Sequence, residues 1–338
     1  MPVISELTWG GRDFDREFFE REVEDFLPDR IFDAHAHLCR FADVGEAMRK
    51  PWEGVCPPEF SLARYGEEIR WLHGDRPTGG LFVGIVPNDN CEASNGYVAG
   101  EVRREAGARA HFLVRPSDDP DWVRQEVRRL GMCGLKPFHS FVREPIAATM
   151  EAELPEYLPE PLMRLAHEEG WSVTVHLVKR RGPADPGNLH WIRRYCENFP
   201  DARLMLCHTV RGWNPSHVFE GLPRLRGLPN LWVCTDLNSS ALAIEAALRI
   251  LGPERIVYGT DFWWSHIRGL CTYAGDGFLW LYEGNYDWER NLIGRGPTLA
   301  GLEHLRAVKW ACWSVGLSDR QVEDYFYGNA HRLFGMEG

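Results

Sequence analysis

Eight short apolar segments recur along the chain, and most are separated by stretches with helical spacing. Each is partly β-branched and has the length of a strand buried on both faces. The predicted strands span residues 31–35, 81–86, 111–114, 132–136, 172–176, 204–207, 231–234 and 256–258. Strand–helix alternation repeated eight times favours a (β/α)8 barrel of the TIM type. A doubly wound open sheet is the alternative, which is disfavoured because no glycine-rich phosphate turn follows the first segment.

Helix start signals support this alternation. Phenylalanine and valine recur at helical spacing over residues 13–27, which predicts an amphipathic helix in an N-terminal extension. Asp119 before Pro120 predicts a helix start, because aspartate caps the first turn and proline is tolerated there. Ser318, three residues before Gln321, predicts a capping box and another helix.

The 338 residues are predicted to form one barrel domain over 1–338, preceded by a helical extension over 1–30. Two segments exceed ordinary strand–helix connections, namely 39–80 after the first strand and 262–298 after the last. The second is rich in aromatic residues, which predicts a folded cover over the mouth of the barrel or a subunit contact. These aromatics are Trp263, Trp264, Tyr273, Phe278, Trp280, Tyr282, Tyr286 and Trp288.

The composition indicates which classes of binding partner and which cellular compartment to expect. The net charge of −11 argues against nucleic-acid binding, which usually requires a basic face. Nine cysteines without a C-x-x-C pair favour a reducing, cytoplasmic compartment. Neither a signal peptide nor a run of about 18 apolar residues is present, so no membrane association is expected. The sequence leaves open whether the chain forms a homo-oligomer.

Histidines and an aspartate fall at the ends of four predicted strands. His35 and His37 end the first strand, His176 the fifth and His208 the sixth, and Asp261 follows the eighth. Residues i and i+2 of a strand share a face, and the carboxyl ends of barrel strands meet at one mouth. Imidazole is a ligand for zinc, iron and nickel. One such histidine would usually be structural, but five residues at one end predict a metal site.

This pattern resembles the amidohydrolase superfamily, which carries Asp-x-His-x-His after strand 1, histidines after strands 5 and 6, and aspartate after strand 8. The sequence Gly-Asn-Ala-His-Arg-Leu-Phe at 328–334 is similar to the end of its amidohydrolase-related branch. That branch includes aminocarboxymuconate-semialdehyde decarboxylase-like proteins and lactone hydrolases. The resemblance runs from about residue 31 to 334, and the two long segments match nothing in it.

The resemblance implies a role for each strand-end residue. His35, His37 and His176 would bind one divalent metal, with zinc favoured, and Asp261 would be the fourth ligand. Asp261 and His208 would be the catalytic residues: Asp261 as proton acceptor for the metal-bound water, and His208 in polarising the substrate or binding a second metal. A divalent cation lowers the pKa of bound water to about 7, and a nearby carboxylate can take its proton.

Lys136 after the fourth strand leaves the metal count open. In two-metal members of the superfamily a lysine at this place is carboxylated and bridges the metals, so Lys136 and His208 would complete a second site. The amidohydrolase-related branch generally resembles a one-metal site, which is favoured here. Lys136 would then bind a substrate carboxylate. Asp33 is predicted to be a hydrogen-bond partner of a ligand histidine, because alternation places it on the face of His35.

The mouth is predicted to be basic although the chain is acidic. Arg115 and Arg211 lie near strand ends and could bind a carboxylate through two parallel hydrogen bonds. Lys136, His139 and Trp263 complete the predicted substrate contacts. Seven basic residues fall at or just after strand ends: Arg115, Lys136, Lys179, Arg180, Arg181, Arg211 and Arg268. Of these, residues 179–181 are expected to form a solvated turn.

These expectations favour a metal-dependent hydrolase that cleaves an amide, lactone or related C–N or C–O bond of a small carboxylate-bearing molecule. The alternative is a metal-dependent non-oxidative decarboxylase, which shares the ligand set. Many aromatic-acid decarboxylases of the branch carry Glu-x-His after strand 1, so Asp-x-His-x-His favours hydrolysis. A non-catalytic barrel is disfavoured because the full ligand set is present.

Overall fold

The computed structural model describes residues 7–85, 90–142, 146–291 and 296–336. Three parts of the predictions lie outside the described residues. They are Val86 at the end of the second predicted strand, residues 1–6 of the extension, and residues 292–295 of the second long segment.

The strands and helices of the described part are as follows. The strands are β1 Ile31–His37, β2 Cys39–Arg40, β3 Glu59–Phe60, β4 Thr78–Val83, β5 Ala108–Ala110, β6 Phe112–Val114, β7 Gly134–Pro137, β8 Ser172–Val175, β9 Arg203–Leu206, β10 Leu231–Cys234, β11 Ile256–Val257, β12 Gly269–Ala274 and β13 Gly277–Tyr282. The helices are α1 Asp13–Glu22, α2 Glu46–Arg49, α3 Leu62–Glu68, α4 Arg70–His73, α5 Cys91–Val102, α6 Pro120–Leu130, α7 Leu154–Tyr157, α8 Glu160–Glu168, α9 Pro186–Asn198, α10 His208–Arg211, α11 Pro215–Gly221, α12 Ala241–Leu251, α13 Trp288–Asn291, α14 Ala300–Val315, α15 Asp319–Glu323 and α16 Asn329–Phe334.

The predicted barrel is confirmed, with a strand at all eight predicted positions. Parallel pairing gives the orders β1-β4-β5 and β11-β10-β9-β8-β7-β6, and His111 alone separates β5 from β6. After β11 the ring continues to β1, because the Ala34 N–H donates to the Tyr258 carbonyl at 2.9 Å. The His37 N–H likewise donates to the Phe262 carbonyl at 2.7 Å. The C-terminal ends of the strands therefore meet at one mouth.

The predicted helix starts are confirmed where a side chain caps the first turn. The Asp119 carboxylate accepts from the Trp122 N–H at the start of α6. Ser318 and Gln321 form the capping box that begins α15. The helix predicted over 13–27 is wrong at its C-terminal end, since α1 ends at Glu22. Val23 there leaves the helical conformation, with φ −123°, and packs into the core.

The interior of the barrel is mainly apolar at the end opposite the mouth, where His111, hydrogen-bonded to Ser172, is a buried polar residue beside Phe334. Inward side chains of five strands pack there with α16, and the Phe334 ring lies 5.7 Å from the Phe32 ring. The cluster consists of Phe32, Ala34, Leu81, Met205, Trp232, Cys234, Val257, Ala330, Leu333 and Phe334. This packing leaves the other end of the barrel for polar residues.

Among the described residues, no helix has the length and apolarity needed to cross a bilayer. All nine cysteines are free thiols, and seven of them are buried. The long segment after the last strand is folded, because β12 and β13 pair as an antiparallel hairpin within it.

Arg268 lies away from the mouth, contrary to the prediction that it belongs to a basic rim. Its guanidinium is fully buried and donates to the Asp15 carboxylate of α1 at 2.6 Å. The same carboxylate accepts from the N–H groups of Arg12 at 2.7 Å and Leu299 at 3.3 Å. This pair ties the N-terminal helix to the segment that follows the barrel. A buried guanidinium needs such a partner, because an unpaired charge is costly away from water.

We expect Asp15→Ala to lower the free energy of unfolding by about 3–5 kcal/mol, because it leaves Arg268 buried without its close partner. Chemical denaturation of the variant and the wild type measures the loss. Glu20→Ala on the exposed face of α1 is the matched control and should change stability by less than about 0.5 kcal/mol. Equal effects of the two variants would contradict a structural role for the pair.

Candidate metal centre

The end of β1 brings His35 and His37 into one polar cluster at the mouth. The register of β1 against β4 is irregular between Asp33 and Ala36, so the simple alternation of faces is interrupted there. Both histidines are buried, and their rings lie 5.0 Å apart. Both also approach the same carboxylate, that of Asp261.

His37 is oriented by a backbone carbonyl. Its Nδ1 lies 2.9 Å from the Gly84 oxygen, to which only an N–H can donate. In the neutral ring this leaves a lone pair on Nε2, which lies 3.0 Å from Asp261 Oδ1. Two electron-rich atoms this close require a proton or a cation at their junction. The arrangement therefore has the chemistry of a cation-binding pair.

Asp261 is held rigidly in the site. Its backbone N–H donates to the His35 carbonyl at 2.7 Å, and its φ of +54° is unusual for a residue other than glycine. Burial would raise the pKa of its carboxyl, but the close contact with His37, followed by the nearby His35 and His208 rings, holds that pKa below its usual value. Asp261 is therefore ionised at neutral pH.

His35 is contacted on both ring nitrogens. Its Nδ1 donates to Asp236 Oδ2 at 2.8 Å, and its Nε2 lies 3.2 Å from the Lys136 amino group. Burial, followed by the charge of Lys136, lowers the pKa of His35 to about 4. The ring is therefore neutral at physiological pH, which is the state that binds a metal.

Asp236 is a site residue to which the sequence analysis gave no role. Besides His35, it accepts from the backbone N–H of His208 at 2.8 Å and lies 2.9 Å from His208 Nδ1. Burial would raise the pKa of its carboxyl, yet His208 and His35 hold it well below the usual value. A carboxylate that orients two imidazoles fixes which nitrogen of each ring faces the site. Its signal in the sequence was its position two residues after the seventh strand, which ends at Cys234.

A left-handed turn follows β9 and carries His208 at its start. The four residues of α10 have φ values between 53° and 64°, although Thr209 and Val210 are β-branched. Such a conformation costs about 1–2 kcal/mol per residue and concentrates at functional sites. The turn places His208 against Asp236 and directs Arg211 at its end towards the hairpin β12–β13. Burial would lower the pKa of His208, but Asp236 raises it above the usual value.

His176 and His139 complete the histidine cluster. The His176 ring lies 4.9 Å from that of His208 and 5.7 Å from that of His139. Its Nδ1 is buried and has no hydrogen-bond partner among the described residues. His139 Nδ1 lies 2.5 Å from the Thr149 hydroxyl, and burial, followed by the charges of Arg211 and Lys136, lowers the pKa of His139 to about 4.

The donor atoms fit a divalent cation. Three buried groups bring their donor atoms within 4.8 Å of one another: His35 with His37 and Asp261, His208 with Asp236 and Asp261, and His35 with Cys207 and Asp236. The first group contains three of the four predicted ligands. His176, the predicted fourth, lies beside His208 with its unpaired nitrogen, and its role as a ligand stays a prediction.

The predicted substrate contacts divide into two sets. Lys136, His139 and Arg211 lie at the cluster. Arg115 instead hydrogen-bonds through its backbone N–H to Asp118 at 2.7 Å, and its side chain bonds the thiol of Cys91.

Trp263 is also away from the cluster. Its ring is fully buried, 4.2 Å from that of Trp52 and stacked 5.5 Å from that of Phe60. The tryptophan packs the segment after β1 against the segment after β11. Its predicted substrate contact has no support in this geometry.

Asp33 is a hydrogen-bond partner of the predicted ligand His35, as expected, but through the backbone N–H of His35 and not through its imidazole. Asp33 Oδ1 accepts from the backbone N–H groups of His35 at 3.1 Å and Thr260 at 2.8 Å, and Oδ2 from the Tyr65 hydroxyl at 3.0 Å. The irregularity in β1 turns Asp33 and the His35 ring apart. Asp33 therefore joins β1 to the end of the eighth strand and contacts no imidazole of the cluster.

The predicted solvated turn at 179–181 is wrong for its first residue. Lys179 is buried and pairs with Glu153 and with Asp185 at 3.4 Å. Arg181 pairs with Glu220 at 2.6 Å on the surface. These cations are therefore neutralised by neighbouring carboxylates.

A surface cavity of about 1220 Å³ lies elsewhere in the molecule. Residues that precede β1 and residues of the C-terminal helices line it, and none of them belongs to the histidine cluster. We place the chemistry at the cluster, because perturbed pKa values, buried donors and strained backbone converge there.

The comparisons with known proteins agree with this architecture. A family model described as amidohydrolase matches residues 32–336. A search of the curated proteins finds no match.

Three solved structures illustrate the fold. A zinc-bound amidohydrolase from Burkholderia multivorans is 14% identical, with a TM-score of 0.57 over 91% of this chain and 100% of that one. A protein assigned as a 2-pyrone-4,6-dicarboxylic acid hydrolase from Pseudomonas putida is 17% identical, with a TM-score of 0.57 over 92% and 100%. A 2,6-dihydroxybenzoate decarboxylase from Rhizobium is 12% identical, with a TM-score of 0.55 over 92% and 100%. At these identities the similarity establishes the fold alone.

Proposed function

Because this chain belongs to the amidohydrolase family, whose model spans residues 32–336, we propose that it is a metal-dependent hydrolase. Its substrate is a small carboxylate-bearing molecule with an amide, lactone or related C–N or C–O bond. The family contains hydrolases and decarboxylases, so the reaction is argued from this chain's own residues.

The main support for the proposal is the contact between His37 Nε2 and the Asp261 carboxylate. The Gly84 carbonyl fixes the His37 ring, and its Nε2 faces an ionised carboxylate oxygen at 3.0 Å. A pair so arranged can bind a cation, and the carboxylate can also accept a proton from a water molecule beside it. Both properties are required for hydrolysis by an activated water.

His35, His37, His176 and Asp261 would hold the cation, with zinc favoured by the ligand types. When bound, a divalent cation supplies the positive charge that makes water acidic enough to ionise near neutral pH. Lys136 must release His35 Nε2 for that nitrogen to become a ligand, since the two atoms are 3.2 Å apart. The freed ammonium is then available to a substrate carboxylate.

Asp261 and His208 would move the protons. Asp261 accepts the proton of the attacking water and passes it to the leaving group. His208 is held by Asp236 through Nδ1, so its Nε2 is the nitrogen that can polarise the bond to be cleaved. Asp236 keeps both His35 and His208 in the required tautomer.

Two cations at the cluster suit an anionic substrate. Lys136 is fully buried beside His35, and Arg211 lies at the end of the left-handed turn. Burial lowers the pKa of Arg211 to about 10, and its guanidinium still carries its charge at neutral pH. A carboxylate between these groups would hold the reacting bond near Asp261.

Decarboxylation is the second candidate, since the solved structures of this fold include a 2,6-dihydroxybenzoate decarboxylase. The same ligands would then position the substrate, and Asp261 or His208 would deliver a proton to carbon. A panel of small carboxylate-bearing lactones and amides and of hydroxybenzoates tests both reactions. We expect release of acid with addition of water. Release of carbon dioxide without addition of water would overturn the hydrolase proposal and leave the decarboxylase.

We expect elemental analysis of the purified protein to give about one divalent metal per chain, because one cation satisfies His37 and Asp261. His37→Ala should lose most of this metal. His190→Ala, at an exposed histidine of α9, is the matched control and should retain it. A content near two per chain would support a second site at Lys136 and His208. Equal metal in both variants would contradict the proposed ligands.

A further inference from the structure

The hairpin β12–β13 extends across part of the mouth. It begins after the eighth strand, yet its tip contacts the loop that follows the sixth. The Asn214 amide donates to the carbonyls of Gly275 and Gly277 at 3.0 Å each, and His217 Nε2 lies 2.8 Å from the Asp276 carboxylate. The hairpin therefore passes over the end of the seventh strand, which carries Asp236.

The two faces of the hairpin differ. Antiparallel pairing places Cys271 opposite Trp280 and Tyr273 opposite Phe278, and directly paired residues share a face. Phe278 and Trp280 on this face approach the Trp213 ring at 4.7 Å and 6.0 Å. Leu279 between them points the other way and is 40% exposed. The contacts with Trp213 make the face with Phe278 the inner one, and Tyr273 near the tip of the same face is exposed.

Aromatic rings connect this inner face with the proposed catalytic histidine. The Trp213 ring is stacked on the His208 ring, with centroids 5.1 Å apart and planes inclined by 28°. Phe278 packs against Trp213 with ring centroids 4.7 Å apart and planes inclined by 46°. His208, Trp213 and Phe278 therefore form a continuous row of rings from the proposed catalytic histidine to the hairpin.

Arg211 places a positive charge at this row of rings. Its guanidinium carbon lies 5.3 Å from the ring centre of Trp213 and 5.3 Å from that of Phe278. Its Nε donates to the Lys179 carbonyl at 3.2 Å. Aromatic contacts occupy the faces of a guanidinium and leave its in-plane N–H groups for oxygen atoms, which suits a planar carboxylate.

We propose that Phe278 is a specificity-determining residue that, with Trp213, selects substrates in which a carboxylate is attached to a flat unsaturated ring. The carboxylate lies on Arg211 and the ring packs against Phe278. This inference rests on the proposed function, because it concerns the same site. It adds that the hairpin β12–β13 determines which substrates the site accepts.

Binding of three probes by calorimetry tests the proposal. Benzoate is planar and charged, cyclohexanecarboxylate is charged but puckered, and benzamide is planar but neutral. We expect the wild type to bind benzoate more tightly than either of the others. Phe278→Ala should weaken benzoate binding about tenfold and cyclohexanecarboxylate binding less than about twofold, because an aromatic contact and buried ring surface are lost.

Leu279→Ala, on the outer face of the same strand, is the matched control and should change neither affinity. If Phe278→Ala does not fold, Phe278→Leu keeps the volume without the ring and carries the same expectation. The proposal is overturned if the wild type does not prefer benzoate to both other probes, if the Phe278 variants keep that preference, or if Leu279→Ala loses it equally.

The probes also separate this proposal from the hydrolase proposal, because they report binding without turnover. Benzoate selectivity that depends on Phe278, in a protein that releases no acid from any substrate, would refute hydrolysis alone. Acid release together with unchanged selectivity in the Phe278 variants would refute the specificity role alone.

Discussion

Asp261→Asn should lower kcat/KM by about 10²–10⁴-fold, the usual cost of removing a positioned acid or base. The amide keeps the size of the carboxylate but cannot accept a proton at neutral pH. It also loses the negative charge that faces His37 Nε2 at 3.0 Å, so the variant should bind metal more weakly. Steady-state kinetics with any substrate found for the wild type, together with elemental analysis, measure both losses.

Excess metal provides the control for Asp261→Asn. If the variant regains wild-type turnover when saturated with zinc, the carboxylate is a ligand only and the proton-acceptor role is wrong. If turnover is normal without added metal, the active site lies elsewhere in the molecule. Thermal unfolding should show that the fold persists, since the backbone N–H of Asp261 still bonds the His35 carbonyl.

His208→Asn should reduce kcat by about 10²–10⁴-fold while the protein retains about one metal per chain. We expect the metal to remain because His208 is not one of its proposed ligands. The Nδ1 atom of His208 is held by Asp236, whereas the favoured metal position is formed by His35, His37 and Asp261. His190→Asn at an exposed position should change neither quantity.

The metal content of the His208 variant separates the one-metal and two-metal sites. If metal falls in proportion to turnover, His208 is a ligand, and the second group with Asp236 and Asp261 is occupied. The one-metal assignment would then be wrong, and Lys136 would be the residue to test as a bridging ligand.

Much of the fold could be predicted because the barrel strands have a strong local signal. Short apolar β-branched segments, such as β9 and β10, are buried on both faces, and their sequences show it without any long-range contact. Caps such as Asp119 act on residues three positions away, so they too can be recognised locally. The boundary of α1 was less predictable, because burial of Val23 in the core decides it.

The site could be predicted in part for the same reason. Parallel barrel strands bring their C-terminal ends to one face, so histidines and aspartates at those ends converge whatever the helices contain. His35, His37 and Asp261 are grouped as expected. The sequence could not show which basic residues lie at the site, because that depends on their partners in the fold. Arg211 contacts the rings of Trp213 and Phe278, whereas Arg268 pairs with the Asp15 carboxylate.

The sequence by itself determined the barrel, its mouth and most of the candidate ligands, since each depends on periodicity and strand position within a short window. Tertiary structure alone decided the role of Asp236, which contacts His35 across 201 positions of the chain. It also decided the left-handed turn at His208 and the docking of Phe278 on Trp213. A β-branched turn adopts positive φ only when surrounding contacts outweigh its strain, and those contacts come from distant segments.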